Sequence, residues 1–234
     1  MKQISFLICG LILWFCTASA QTIDHSKWTD VLQVYVAKNG NVNYKDLQNN
    51  RIVLNDYLNE LASNSPKDNW SNAETKAYWI NAYNAYTIQL ILDNYPLKSI
   101  KDITDPWNQT FFKINGETMS LNAIEHEILR PMGDPRIHFA IVCASESCPK
   151  LLNYAYEAKT LNDQLDQAAK EFINDASKNT ITASQITISK IFKWFKSDFS
   201  TGTAFINYLN NYSALKIHLD TKINYQNYNW SLNE

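Results

Sequence analysis

Glycine is scarce in this chain, with five residues in 234, and none of them cluster. A glycine-rich phosphate loop is therefore excluded, and no Gly-x-Ser-x-Gly elbow is present to raise a serine nucleophile. Cysteine is as rare, with four residues, and neither a Cys-x-x-Cys nor a His-x-x-x-His pair occurs, so the usual spacings of a zinc site are missing. An excess of one charge is missing too. The 21 basic and 23 acidic residues leave a net charge of -2, which gives no reason to expect nucleic acid or an anionic membrane surface as partner. No internal repeat divides the chain, no long linker interrupts it, and no cofactor motif stands out.

What is present begins with MKQISFLICGLILWFCTASA, one lysine before an apolar run that closes in Ala-Ser-Ala. This is the layout of a cleaved secretory signal peptide, expected to span residues 1–20 and to leave a single domain over 21–234. The run is short for a bilayer span, no second one follows, and Trp14-Phe15 before Cys16 argue against a lipid-attachment cysteine. The expectation is a soluble exported protein, periplasmic or extracellular. After removal of Cys9 and Cys16 only Cys143 and Cys148 remain, in an oxidising compartment where they can pair. Tyrosine, tryptophan and asparagine are abundant, which suits stacking against sugars or peptides.

Apolar periodicity predicts helices over Ser26–Val36 and about Lys45–Ala62. A third helix should begin at Ser71, where Ser71 and Glu74 have the spacing of a capping box, and end at Asn94-Tyr95-Pro96. From Ala77 to Leu92 it is apolar nearly all round, so it belongs in the centre of the domain. Asn81 and Asn84 share one stripe of it with Glu74. Buried amides need partners, so these two either tie down a neighbouring loop or floor a site. Asn115-Gly116 predicts a tight hairpin between Phe111–Ile114 and Glu117–Met119, and Ser120 should cap a helix carrying Glu125 and His126. Ile137–Cys143 reads as the central strand of a sheet. A helix capped by Thr160, β-type runs at 180–182 and 185–188, a helix over 202–210 and a Tyr-rich tail complete an α+β arrangement, a buried helix on a mostly antiparallel sheet.

On such a strand His138 and Cys143 point to opposite faces, on the order of 17 Å apart, and are no nucleophile–base pair. Cys148 precedes Pro149, and a helix opening at Pro149 would favour its thiolate. Cys148 is therefore the better candidate nucleophile, with His138 within reach if the chain folds back and Glu74 and Glu125 as candidate acid and base. Ser145 could donate nearby. The alternative for the same stretch is a Cys143–Cys148 disulfide.

The stretches AYWINAYNAYTIQLIL, SLNAIEHEILRP, DPRIHFAIVCASESCPKL, ISKIFKWFKSDF and YNWSLN, in this order, resemble the domain of unknown function numbered 547, found in exported bacterial proteins and in plant proteins with coiled-coil segments. The likeness is strongest over about residues 66–200. It implies that Glu74, Asn81, Asn84, Glu125, His126, Arg136, His138, Cys143, Ser145, Cys148 and Pro149 occupy the family's motif positions, and it implies no reaction. A buried helix followed by a histidine-led strand is also remotely similar to the papain and transglutaminase plan, although no cysteine opens the helix here. Two functions follow: a cysteine-dependent hydrolase or acyl transferase using Cys148 and His138, or a non-catalytic module that binds a glycan, peptide or other small molecule and carries a Cys143–Cys148 disulfide.

Overall fold

The computed structural model describes residues 23–234, and the expected signal peptide with Cys9 and Cys16 lies outside them. Three helices lead: α1 (Ser26–Tyr35), α2 (Tyr44–Asn49) and α3 (Ile52–Ser63). The predicted second helix is thus two. Asn50 leaves the helical region (φ -121°, ψ 33°) while its side-chain Nδ2 donates to the Asp46 carbonyl, a local bond that competes with the helical ladder.

The long helix α4 (Asn72–Asn94) starts where the sequence places it. Ser71 Oγ accepts from the Glu74 amide at 3.2 Å, and Glu74 Oε2 accepts from the Ser71 amide at 2.6 Å. Residues Lys76 to Ile88 of α4 are buried without interruption. The helix is enclosed by α2, α3 and a π-helical segment (Ala123–Leu129), and Tyr86 stacks on Phe112 of the hairpin at 3.8 Å between ring centroids.

That hairpin pairs β1 (Phe112–Ile114) with β2 (Glu117–Met119). Asn115 and Gly116 both take positive φ (51° and 83°), as the tight turn requires. Ser120 Oγ accepts from the Ala123 amide, so the predicted cap holds although the turn it opens is π-helical.

Residues 137–143 are not a strand. Asp134 caps a 3-10 segment (Pro135–Phe139), with Pro135 at its first turn, and the chain then runs irregularly to Cys148. An apolar irregular segment needs partners for its buried peptide groups. Asn84 supplies them: its Nδ2 donates to the Ala140 carbonyl at 2.9 Å and its Oδ1 accepts from the Val142 amide at 2.9 Å. Nor is there a helix after Pro149. Residues 148–152 pass Gly40, whose φ of +92° and lack of a Cβ let the Lys150-Leu151 backbone approach closely.

The last third holds α5 (Leu161–Asn174), β3 (Thr180–Ile181), β4 (Gln185–Ile188), the one-turn α6 (Ile191–Trp194), α7 (Gly202–Asn210) and β5 (Lys222–Tyr225). Thr160 precedes α5 without capping it, because its hydroxyl turns to Glu157 and Gln164. β4 pairs antiparallel with β3 and parallel with β5, Gln185 opposite Lys222. The fold is α+β, with a helical body around α4 and two small sheets. One apolar cluster surrounds α4, and a second is built from phenylalanines 139, 172, 192, 199 and 205.

Candidate functional site

The seam between these clusters opens as a cleft of about 330 Å³. Its walls are aromatic: Trp107, Trp194, Phe195, Tyr228 and Trp230, with Trp194 packed on Trp230 at 5.6 Å and Tyr228 on Trp230 at 4.6 Å between centroids. Trp194 remains 46% exposed although it belongs to the packed set, so part of it is open to solvent. The floor is polar and consists of Glu125, His126, His138 and Tyr83.

The floor is arranged by one ion pair. Arg130 clamps Asp198 with Nε and Nη2, each at 2.7 Å, and its guanidinium lies 5.5 Å from the Phe195 ring centroid. Asp198 thereby stays ionised far below the usual carboxylate range, the Arg130 bonds being the largest cause. It accepts from His138 Nε2 at 2.8 Å. Because an ionised carboxylate only accepts, Nε2 carries the proton and Nδ1 holds the lone pair. Burial lowers the His138 pKa to about 4, so the ring is neutral at pH 7, and Phe195 stacks on it at 3.9 Å.

His138 Nδ1 faces Glu125 Oε1 at 3.9 Å, beyond a hydrogen bond. Glu125 is 8% exposed, and among the described residues its carboxyl takes one hydrogen bond, from the Tyr83 hydroxyl at 3.2 Å. Burial raises its pKa to about 7. His126 accepts from Arg130 Nη1 at 2.8 Å, and burial together with that guanidinium lowers its pKa. At pH 7 His138 is neutral and Glu125 stands near its titration midpoint, so the floor can both give and take hydrogen bonds.

At one end of the cleft Cys143 and Cys148 form a disulfide, their Cα atoms 6.2 Å apart. Cys148 and Pro149 also border a second, more polar cleft that includes Ser145, Lys150, Glu171 and Lys178. His138 and Cys143, expected on opposite faces of a strand, line the same cleft because the strand is absent.

Other predicted site residues lie elsewhere or are already occupied. Glu74 caps α4 and does not line the cleft. Arg136 is engaged by Asp134, Asp166 and Asn162. Asn81 donates to the Tyr156 carbonyl at 2.8 Å and accepts from the Tyr156 amide at 2.9 Å, so both buried asparagines of α4 tie down neighbouring backbone. Ser145 is buried, its Oγ 3.2 Å from Cys143 Sγ. Sequence reasoning missed Arg130, Asp198, Tyr228 and the wall tryptophans. Their signals were the four-residue step from His126 to Arg130 and the positions of Asp198, Tyr228 and Trp230 inside the KSDF and YNWSLN stretches.

Among the described residues no group of three or more His, Cys, Asp or Glu side chains gathers as a metal site, and no helix is long and apolar enough to cross a membrane. The cleft thus defines an α+β protein with an aromatic-walled, polar-floored site. Residues 67–173 match the family model described as Protein of unknown function, DUF547, so the resemblance read from the motifs holds over that stretch. It covers Glu125, Arg130, His138 and the disulfide, whereas Asp198, Tyr228 and Trp230 lie beyond it. Comparison with curated proteins and with solved structures gives no match.

Proposed function

We propose that this protein is an exported, non-catalytic module that binds a neutral ligand with ring faces, a glycan before a peptide, in the aromatic cleft. The observation that carries the reading is the pairing of indole and phenol walls with a floor of hydrogen-bond donors and acceptors, Tyr83, Glu125, His126 and His138. Sugar rings present apolar C–H faces to such walls and hydroxyls to such a floor. The disulfide supports this reading over thiol catalysis, since it engages both sulfurs that a cysteine mechanism would need. It also suits the export expected from the first twenty residues.

Thermal-shift screening of the oxidised protein against soluble oligosaccharides and cell-wall peptides tests this. A saccharide class is expected to raise the melting temperature, and Trp194→Ala to cancel the rise. A response to peptides alone would move the reading to the peptide side, and silence from both classes would overturn it.

A further inference from the structure

The two sulfurs of the disulfide have unequal surroundings. Both line the cleft, but Cys143 is half-buried whereas Cys148 is 4% exposed. The Tyr228 hydroxyl stands 3.3 Å from each sulfur, and Ser145 Oγ lies 3.2 Å from Cys143. One donor serves Cys148 alone: the Cys143 amide, 2.9 Å from Cys148 Sγ. Negative charge arriving on Cys148 would therefore meet an aligned N–H and a phenol, with the open approach on the side of Cys143.

We propose that Cys143–Cys148 is an exchange-active disulfide, attacked at Cys143 by a thiol entering through the cleft, with Cys148 as leaving group. The incoming thiolate forms an S–S bond to Cys143 as the Cys143–Cys148 bond breaks. Its electron pair departs on Cys148, where the Cys143 amide and Tyr228 receive it. With a dithiol as co-reactant, the second sulfur attacks the mixed disulfide. The dithiol is oxidised by two electrons and its two protons end on Cys143 and Cys148.

The consequence reaches the cleft wall. The loop closed by the disulfide holds the tail, Glu146 donating to the Ser231 carbonyl at 2.8 Å and Ser147 to the Asn229 carbonyl at 3.2 Å, and that tail carries Tyr228 and Trp230. Exchange would loosen the ledge on which two wall aromatics rest. The inference requires an open cleft and does not require that a glycan fill it.

The test treats the folded full-length protein with millimolar dithiothreitol at neutral pH, quenches by alkylation and counts modified cysteines by mass spectrometry, with circular dichroism reporting the fold. Both cysteines are expected to open while the protein stays folded. Tyr228→Phe should slow opening about threefold to tenfold by removing a donor to the leaving sulfur. With oxidised glutathione, Cys148→Ala should form the mixed disulfide at Cys143 at least about tenfold faster than Cys143→Ala forms it at the buried Cys148. A bond that opens only on unfolding, or a Cys148 that reacts as fast as Cys143, would overturn the proposal. Saccharide binding by the oxidised protein is measured separately and leaves this outcome unaffected.

Discussion

Two sets of buried polar groups lie within this fold, and they are treated differently. On α4, Asn81 and Asn84 are at most 1% exposed, and each spends its amide on both peptide groups of a neighbouring segment. On the cleft floor Glu125 is 8% exposed but, among the described residues, its carboxyl holds one 3.2 Å bond, and His138 turns toward it an Nδ1 without a hydrogen bond from those residues. A fully satisfied buried group fixes a chain path, whereas an under-satisfied one keeps capacity for a ligand. The asparagines therefore read as architecture and the floor as a site.

The largest expected effect breaks the architectural side. Asn84→Ala would orphan the Ala140 carbonyl and the Val142 amide in the core, and is expected to cost about 4 kcal/mol in urea denaturation. A loss well under about 1 kcal/mol, the worth of one ordinary hydrogen bond, would contradict the assignment.

The next is a pH signature of the floor. Glu125 has a folded pKa of about 7, above its ordinary value of 4.5, so its contribution to stability is full below 4.5 and declines as pH rises through 7. Glu125→Gln should remove that decline, gaining up to about 3 kcal/mol relative to the parent between pH 5 and pH 8. Parallel denaturation midpoints for parent and variant at the two pH values would contradict it. His138 works oppositely: its folded pKa of about 4 lies below 6.5, so it supports the fold above 6.5 and withdraws support as pH falls through 4.

Asp198→Asn should lower stability by about 2 kcal/mol, since it removes the charge and one of the two oxygens that hold Arg130 and His138. Nitrogen chemical shifts of the imidazole should show Nε2–H in the parent and a changed tautomer balance in the variant. Unchanged shifts would break the inferred orientation of His138.

The same contrast explains what was legible in the sequence. α4 could be read because its signals are local: a capping box three residues apart, an apolar run and a closing proline. The hairpin at Asn115-Gly116 was legible for the same reason. Residues 137–143 were misread because an apolar run looks alike whether its peptide groups meet a strand or an asparagine 58 residues earlier in the chain. With the strand went the opposition of His138 and Cys143, and with the supposed helix at Pro149 went the special setting of the Cys148 thiol. Glu125, His126, His138 and the two cysteines were singled out by residue type and do line the cleft. Asp198, Tyr228 and Trp230 stand 60 to 92 residues beyond His138 in the chain, a convergence that periodicity cannot reveal.

The most direct test of the cleft as a binding site is a tryptophan-fluorescence titration of the oxidised protein with the oligosaccharide class selected by the thermal screen. Trp107, Trp194 and Trp230 stand in the wall, whereas Trp28, Trp70 and Trp79 are buried elsewhere and supply a constant background. The account predicts a saturable change in emission, with affinity reduced at least about tenfold in Trp194→Ala and retained within about threefold in Asn81→Gln if that variant folds. A saturable signal that persists unchanged in Trp194→Ala and Trp230→Ala, or no signal with any saccharide, would contradict it.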